Sequence, residues 1–167
     1  VKKPISPFGV DGQVFFANGG GQWVKYRAQS QKHSTELFNP TLLYGRSGNH
    51  NASVTIKTDS TYSKALTPSR LLNTLHLSGN VKSLQVNFNS ADSIPVYGFN
   101  FDDGKGIHVD NFSIRGNSGL PLSILNPSLM NAFDNTLQYD LIVLQYGANV
   151  LGYGTTNYRW YEKNMTT

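Results

Sequence analysis

The sequence contains no cysteine, and this absence excludes several kinds of chemistry at once. Without a thiol there is no disulfide framework, no cysteine nucleophile and no thiolate metal site. Such a chain suits a cytosolic protein and equally an exported bacterial protein that folds without disulfides. Long apolar runs are also missing, because no segment approaches the roughly 18 residues of a membrane span. We therefore predict no membrane span.

Charged residues are scarce, at 14% of the chain, and the formal net charge is only +4. Lys and Arg are scattered along the sequence, and the longest basic run is the pair Lys2-Lys3. Nucleic-acid interfaces normally cluster basic residues on one face, so we predict no nucleic-acid partner. The mild positive field is compatible with attraction to an anionic polymer such as a cell wall, which net charge alone does not establish.

Histidines at metal-ligand spacing are absent as well. None of His33, His50, His76 and His108 has a second histidine two or four positions away, as zinc sites often do. The segment Asp102-Asp103-Gly104 has some calcium-ligand character, but a pair of acids in a hairpin is more often a solvated turn. We therefore predict no metal and no cofactor, and we expect His108 to have a structural role.

Turn residues and short stretches of alternating apolar residues are what the first part of the chain has in abundance. Residues 53–58 alternate cleanly, with Val54 and Ile56 on one side, and residues 81–88 repeat the pattern. Further β-rich segments lie at 13–17, 22–28 and 94–101. The stretch 60–75 has the least defined pattern, and within it residues 68–72 are compatible with the start of a short helix or of a strand. This pattern predicts a mainly β fold, with a β-sandwich or jelly roll spanning residues 1–103.

Residues 104–167 have a different pattern, in which strands and helices alternate. In order, we predict a strand at 107–114, a short helix at 127–133 capped by Asn126, a strand at 140–146 and the opening of a helix at 157–164. This order is typical of a doubly wound α/β sheet. Two strands cannot form such a sheet alone, so we predict that 104–167 is a partial α/β segment whose other strands come from elsewhere.

A glycine-containing loop follows each of these two predicted strands. Ligands bind beyond the carboxyl ends of strands in open α/β sheets, which is where loops 115–119 and 146–149 would lie. A backbone N–H of the first loop and the side-chain amide of Asn149 can together form an oxyanion hole for acyl transfer. Alternatively, Gly116 and Gly119 are simple turn glycines and Asn149 is a capping or turn residue. Two such loops in this order favour the oxyanion hole.

These two segments resemble signature blocks of the SGNH (GDSL-like) hydrolases. Residues 109–119, VDNFSIRGNSG, resemble the second block of that family. Residues 139–149, YDLIVLQYGAN, resemble the third block, whose G-x-N motif ends at Asn149, and one predicted helix separates the two blocks as it does in the family. The resemblance implies a flavodoxin-like α/β fold for 104–167. It also implies that the Gly116 backbone N–H and the Asn149 side chain form the oxyanion hole.

The β-rich part resembles a narrower subgroup, the peptidoglycan (polysaccharide) O-acetylesterases. In these enzymes a β-sandwich similar to a carbohydrate-binding module interrupts the hydrolase chain after the nucleophile block, and residues 94–110 resemble the exit from that insertion. The resemblance implies a serine esterase that removes O-acyl groups, first of all acetyl, from a polysaccharide such as peptidoglycan. It also implies an exported protein that works in the periplasm or outside the cell, in the bacterial envelope.

Two of the four functional groups of that family are missing from the sequence. There is no G-D-S motif for the nucleophilic Ser and no D-x-x-H motif for the catalytic His, and Ser47-Gly48-Asn49-His50 is an ordinary turn sequence. We therefore expect the chain to supply an oxyanion hole, to be inactive alone, and to need the remainder of its own hydrolase domain and a polysaccharide substrate as partners. The alternative is a non-catalytic carbohydrate-binding or adhesion module of the cell envelope.

Overall fold

The computed structural model describes residues 8–29, 35–113 and 118–166. The chain divides into two units, one formed by Val14–Val109 and the other by Val1–Gln13 together with Asp110–Thr167. Within the three described ranges, no helix combines the length and the apolar character needed to cross a membrane.

The unit Val14–Val109 is built from two four-stranded antiparallel sheets. Its strands are β1 (Phe15–Gly19), β2 (Trp23–Arg27), β3 (Thr41–Tyr44), β4 (Ser53–Lys57), β5 (Thr61–Ala65), β6 (Asn73–His76), β7 (Ser83–Asn89) and β8 (Ala91–Asn100). The sheet orders are β1-β8-β3-β6 and β2-β7-β4-β5. The first strand pairs with the last, the second with the seventh, the third with the sixth and the fourth with the fifth. This pairing is that of one long hairpin wrapped into two sheets, the jelly-roll arrangement, and it confirms the predicted mainly β sandwich.

Alternation along the strands explains how the sandwich closes. In β7 the side chains of Leu84, Val86 and Phe88 are buried, while the residues between them are only half-buried. The predicted inward face of β4 is also confirmed, because Val54 and Ile56 are fully buried and lie opposite Phe88 and Val86. Each such side chain contributes about 1.5–3 kcal/mol relative to an exposed position. The hydrophobic core of this unit therefore lies on the inward faces of its strands.

Three strands of the sandwich were not predicted. Nearly all residues of β3 are buried, so its sequence lacks the apolar–polar alternation from which a strand is predicted. The strand β5 lies within 60–75, the stretch for which no structure was predicted outside 68–72, and β6 begins in that stretch and ends at His76. The side chain of Asn73 at the start of β6 is buried and bonded to the backbone carbonyls of Tyr44 and Arg70. Tertiary contacts therefore decide the conformation of this stretch.

The second unit contains a short 3₁₀ helix (Leu120–Ile124) and two α-helices, α1 (Pro127–Leu137) and α2 (Arg159–Met165). The predicted start of α1 is confirmed: the Asn126 side chain accepts hydrogen bonds from the backbone N–H groups of Ser128 and Leu129, at 2.9 and 3.2 Å. The helix continues to Leu137, four residues beyond the predicted end. The predicted helix near 157–164 corresponds to α2.

The two strands predicted in the second half of the chain are not formed, and this prediction is wrong for all residues that the structure describes. Residues 107–113 and 140–146 are irregular. The apolar run at 141–144 is at least 65% exposed at every position. The physical reason is that a parallel strand needs neighbouring strands for its N–H and C=O groups and helices on both faces. The described residues provide no neighbouring strand for either segment, so the predicted α/β sheet is not assembled.

Candidate functional site

The two predicted oxyanion-hole positions have different outcomes. Gly116 lies outside the described residues, so its prediction stays untested. Asn149 lies in a tight turn closed by a 2.9 Å hydrogen bond from the Val150 N–H to the Gly147 carbonyl, and it is exposed. Gly147 opens this turn with a φ of 102°, a conformation that side chains other than glycine rarely adopt. The next side chain, Val150, is only 2% exposed and anchors the turn.

The segments that precede the two loops contact each other through Tyr139. Its hydroxyl donates a 2.6 Å hydrogen bond to the Asp110 carboxylate, and its ring meets that of Phe112 edge-on, with the ring centres 6.3 Å apart. Burial, then the hydrogen bond to Asp110 and the charge of that carboxylate, raise the pKa of Tyr139 well above the ordinary value of 10.0. The phenol therefore stays neutral, and the bond persists, at physiological pH.

The loops themselves meet at Gly119 and Tyr146. A Cβ atom at position 119 would stand 2.8 Å from Cγ of the Tyr146 ring and 3.1 Å from Cε of Met165 in α2. Gly119 is buried and has a φ of 89°, so both its backbone conformation and its surroundings require glycine. The preceding residue is held from the same helix, because the Tyr161 hydroxyl donates a 2.5 Å hydrogen bond to the Ser118 carbonyl.

These contacts occur in the same order along both segments. Asp110 and Phe112 meet Tyr139 near the beginning, and Gly119 meets Tyr146 near the end. Segments that meet in this order run in the same direction, as neighbouring strands of a parallel sheet do. The arrangement brings together the ends of the two segments that carry the signature-like residues. Gly119 is three positions after Gly116, and Tyr146 is three positions before Asn149.

A second cluster of polar groups lies in the jelly-roll unit, at the loop that follows β8. The ring Nε2 of His108 is 3.0 Å from the Asp102 carboxylate, 3.4 Å from the Asp103 carboxylate and 2.8 Å from the Lys105 carbonyl. The potential ligand atoms of Asp102, Asp103 and His108 all lie within 4.8 Å of one another. Sequence reasoning missed this grouping, because it looked for histidine pairs and placed His108 in a strand.

The local hydrogen bonds of this cluster account for its geometry. Asp102 accepts a 2.6 Å bond from the Gly104 N–H, and Asp103 accepts a 3.0 Å bond from the Lys105 N–H. Each aspartate thus closes a turn onto the residue two positions ahead, as the predicted solvated turn requires. The His108 ring bonds to the Lys105 carbonyl and lies beside both carboxylates. The donor set, two carboxylates and one imidazole, is also one that divalent metals accept.

The first three residues of the tetrapeptide at 47–50 line a shallow polar depression of the jelly roll. Ser47 donates to the Asp92 carbonyl at 3.1 Å, and the Asn49 amide donates to the Ser90 carbonyl at 2.6 Å. These bonds join the β3–β4 connection to Ser90, between β7 and β8, and to Asp92 near the start of β8. The side chains of Ser47 and Asn49 thus stabilise this connection, as expected of a turn sequence.

Comparison with known proteins leaves the family open. No protein-family model and no curated protein matches this chain. The functional argument therefore depends on the geometry of the candidate site.

Proposed function

We propose that this chain is part of a serine esterase that removes O-acyl groups, first of all O-acetyl, from a polysaccharide of the bacterial envelope such as peptidoglycan. In this proposal the Gly116 backbone N–H and the Asn149 side-chain amide hold the negative oxygen of the tetrahedral intermediate. A serine outside residues 1–167 attacks the acyl carbonyl, and a histidine outside them removes its proton and later returns it to the leaving alcohol. The protein would work in the periplasm or outside the cell.

The observation that carries this proposal is the contact of Gly119 with Tyr146. An oxyanion hole built from two loops requires that both loops reach the same place, and this contact lies three residues from each proposed donor. The parallel course of the two segments is the course that adjacent strands of an SGNH-type sheet would take. Asn149 lies at the exposed surface of its turn.

The exposed apolar run supports the same proposal from a different direction. Leu141, Ile142, Val143 and Leu144 are 65–78% exposed, although their sequence is that of a strand covered on both faces. Exposing four such side chains in a row is costly, at about 1.5–3 kcal/mol each. We propose that further strands of the same hydrolase domain pair with this segment and bury it, which completes the site.

Hydrolysis of an aryl acetate tests the proposal. The assay compares the intact gene product, including whatever sequence flanks these residues, with residues 1–167 alone. We expect turnover by the intact protein, sensitivity to a serine-directed phosphonate, and no turnover by the isolated chain. An intact protein that neither hydrolyses aryl acetates nor reacts with the phosphonate would rule out the esterase.

A second candidate is a non-catalytic carbohydrate-binding or adhesion module. The observation that favours it is that the jelly roll forms a complete core within Val14–Val109, whereas the α/β segment does not assemble. The flanking sequence separates the two candidates: a G-D-S motif upstream and a D-x-x-H motif downstream support the esterase, and their absence supports the binding module.

A further inference from the structure

The two sheets of the jelly roll differ sharply in charge. The strands of the sheet β2-β7-β4-β5 carry four Lys and Arg residues and no Asp or Glu. The strands of the sheet β1-β8-β3-β6 carry one Asp and no Lys or Arg. All strand cations of this unit therefore lie on one sheet. The low net charge of the chain conceals this asymmetry.

Three of these four cations point outward, and strand register places them in rows. Lys25 and Lys57 lie on either side of Gln85, directly paired to it across the sheet. Arg27 is the next outward residue along β2, and all three cationic side chains are exposed. Because adjacent strands are about 4.8 Å apart, the backbones at Lys25 and Lys57 are separated by about 10 Å, a length comparable to a disaccharide. The fourth cation, Lys64, instead donates a 2.7 Å hydrogen bond to the His76 carbonyl.

The neighbouring row combines an aromatic ring with amide and hydroxyl groups. Trp23 is 61% exposed and is paired with Asn87, which is paired in turn with Thr55 and, one strand further, Ser63. The side-chain Nε2 of Gln85 donates a 2.8 Å hydrogen bond to the side-chain Oδ1 of Asn87. This bond holds the two side chains to each other on the same face of the sheet. The amide oxygen of Gln85 and the amide nitrogen of Asn87 have no further partner among the described residues, so both are available to a ligand.

We propose that this outer face, called here the basic sheet face and consisting of Trp23, Lys25, Arg27, Lys57, Gln85 and Asn87, binds an acidic polysaccharide. Sugar carboxylates would lie against the three cations, sugar hydroxyls would exchange hydrogen bonds with the two oriented amides, and a pyranose ring would cover the exposed indole. The ring of Trp23 offers a flat apolar surface with little conformational entropy to lose. Charge complementarity selects the acidic glycan over a neutral one.

Single-stranded nucleic acid is another polyanion that binds to basic surfaces with aromatic side chains. The composition of the basic sheet face disfavours such binding. Such surfaces use several aromatic side chains for successive bases along a positively charged groove. The basic sheet face has one exposed aromatic ring, and its row of Trp23 and Asn87 continues into the hydroxyl side chains of Thr55 and Ser63. This composition fits a ligand rich in hydroxyl groups.

The inference rests on the proposed function in one respect: it identifies the bound polysaccharide as the class on which the esterase would act. Binding itself requires nothing outside Val14–Val109. Turnover of an aryl acetate does not involve the basic sheet face. A failure of glycan binding with intact aryl-acetate hydrolysis would therefore overturn this inference alone, and the reverse result would overturn the esterase alone.

Titration of the full chain with a polyuronate, and with the same polymer after reduction of its carboxyl groups, tests the proposal. Trp23 is one of only two tryptophans, so the variant Trp160→Phe makes its fluorescence a reporter of this face. We expect saturable quenching by the polyuronate, weaker binding as salt is raised, and little response to the reduced polymer. Equal affinity for the two polymers, or tighter binding of a single-stranded oligonucleotide than of the polyuronate, would overturn the proposal.

A charge-matched pair of variants locates the site. The double variant Lys25→Gln/Lys57→Gln should weaken polyuronate binding roughly five- to tenfold, the effect of two exposed ion pairs. The control Arg46→Gln/Arg70→Gln removes the same charge from exposed positions outside this sheet and should leave the affinity within about twofold of the original. All four side chains are exposed, so both variants should keep the unfolding midpoint of the parent. Equal losses in the two variants would show a nonspecific charge effect and would contradict the site.

Discussion

Gly119 lies against the ring of Tyr146, with room for a hydrogen atom but not for a methyl group, since a Cβ would stand 2.8 Å from Cγ of the ring. The two residues belong to the two loops that carry the proposed oxyanion donors. Their contact fixes how near those loops approach each other. The backbone conformation at Gly119 therefore affects the spacing of the two loops, on which the proposed oxyanion hole depends.

The substitution Gly119→Ala should disturb this contact more than backbone strain alone would. Gly147→Ala is a matched control, because Gly147 also has a positive φ but a Cβ there would meet nothing within 4 Å. We expect a loss of about 1 kcal/mol in unfolding free energy for Gly147→Ala and at least about 2–3 kcal/mol for Gly119→Ala. Urea unfolding of the two variants measures the difference. Equal losses would mean that Tyr146 does not pack against position 119.

Asn149 can be tested as an oxyanion donor with two substitutions that separate function from turn formation. In the intact protein, Asn149→Ala should lower kcat about 10²–10³-fold with KM little changed, because one preorganised donor is removed. Asn149→Asp preserves the side-chain shape and suits the same turn positions, but it has no N–H to donate. We expect it to lose as much activity as the alanine variant.

The control for this pair is Asn135→Ala, on the exposed side of α1, which should leave both kinetic constants unchanged. Aryl-acetate kinetics give all three comparisons. If Asn149→Asp kept near-normal turnover while the alanine variant lost it, Asn149 would be a turn residue and not a donor.

Strands with one buried and one exposed face could be predicted from the sequence, whereas a strand buried on both faces could not. The strands β4 and β7 alternate because one side meets the core and the other meets solvent, and both were predicted. The strand β3 is buried on both sides over its last three residues, so its four residues resemble any short apolar run. Pairing partners, which sequence patterns do not supply, decide such cases.

The candidate site illustrates the same limit. The loop positions near Gly119 and Tyr146 were predicted from motif and order, and the structure brings those two loops together. The strands expected before them are not formed, because strand formation at 140–146 depends on neighbours that the described residues do not contain. The grouping of Asp102, Asp103 and His108 was missed for a related reason, since it arises from loop closure and not from a regular spacing.

Asn73 is a buried polar residue whose side-chain amide makes hydrogen bonds through both its nitrogen and its oxygen. Its nitrogen donates to the Tyr44 carbonyl at 3.3 Å and to the Arg70 carbonyl at 2.9 Å, and its oxygen accepts from the Arg70 N–H at 3.0 Å. Asn73→Asp has nearly the same shape but replaces the donor by a charged acceptor that faces two carbonyls. We expect a loss of at least about 3 kcal/mol in unfolding free energy.

Asn80→Asp is the matched control for this change. Asn80 is exposed, and its side-chain oxygen accepts a 3.3 Å hydrogen bond from the Asn39 N–H, which a carboxylate accepts equally well. Its stability should stay within about 0.5 kcal/mol of the parent. Thermal and urea unfolding measure both variants, and similar stabilities for the two would show that the Asn73 amide does not donate as described.

The buried phenol of Tyr97 leads us to expect that the stability of the jelly roll falls at alkaline pH. Burial raises the pKa of Tyr97 from 10.0 to about 12, and the side chain is only 8% exposed. Because the folded-state pKa is the higher one, the protonated phenol favours folding. Its contribution is fully present below pH 10 and is lost as the pH rises from about 10 to about 12. Two pKa units correspond to at most about 3 kcal/mol.

Tyr97→Phe should therefore lose less stability than the parent over this interval, with a residual loss because burial also raises the pKa of Tyr26. Urea unfolding at pH 8, 10, 11 and 12 measures this difference, and parallel decreases in the two proteins would show that Tyr97 does not ionise on unfolding.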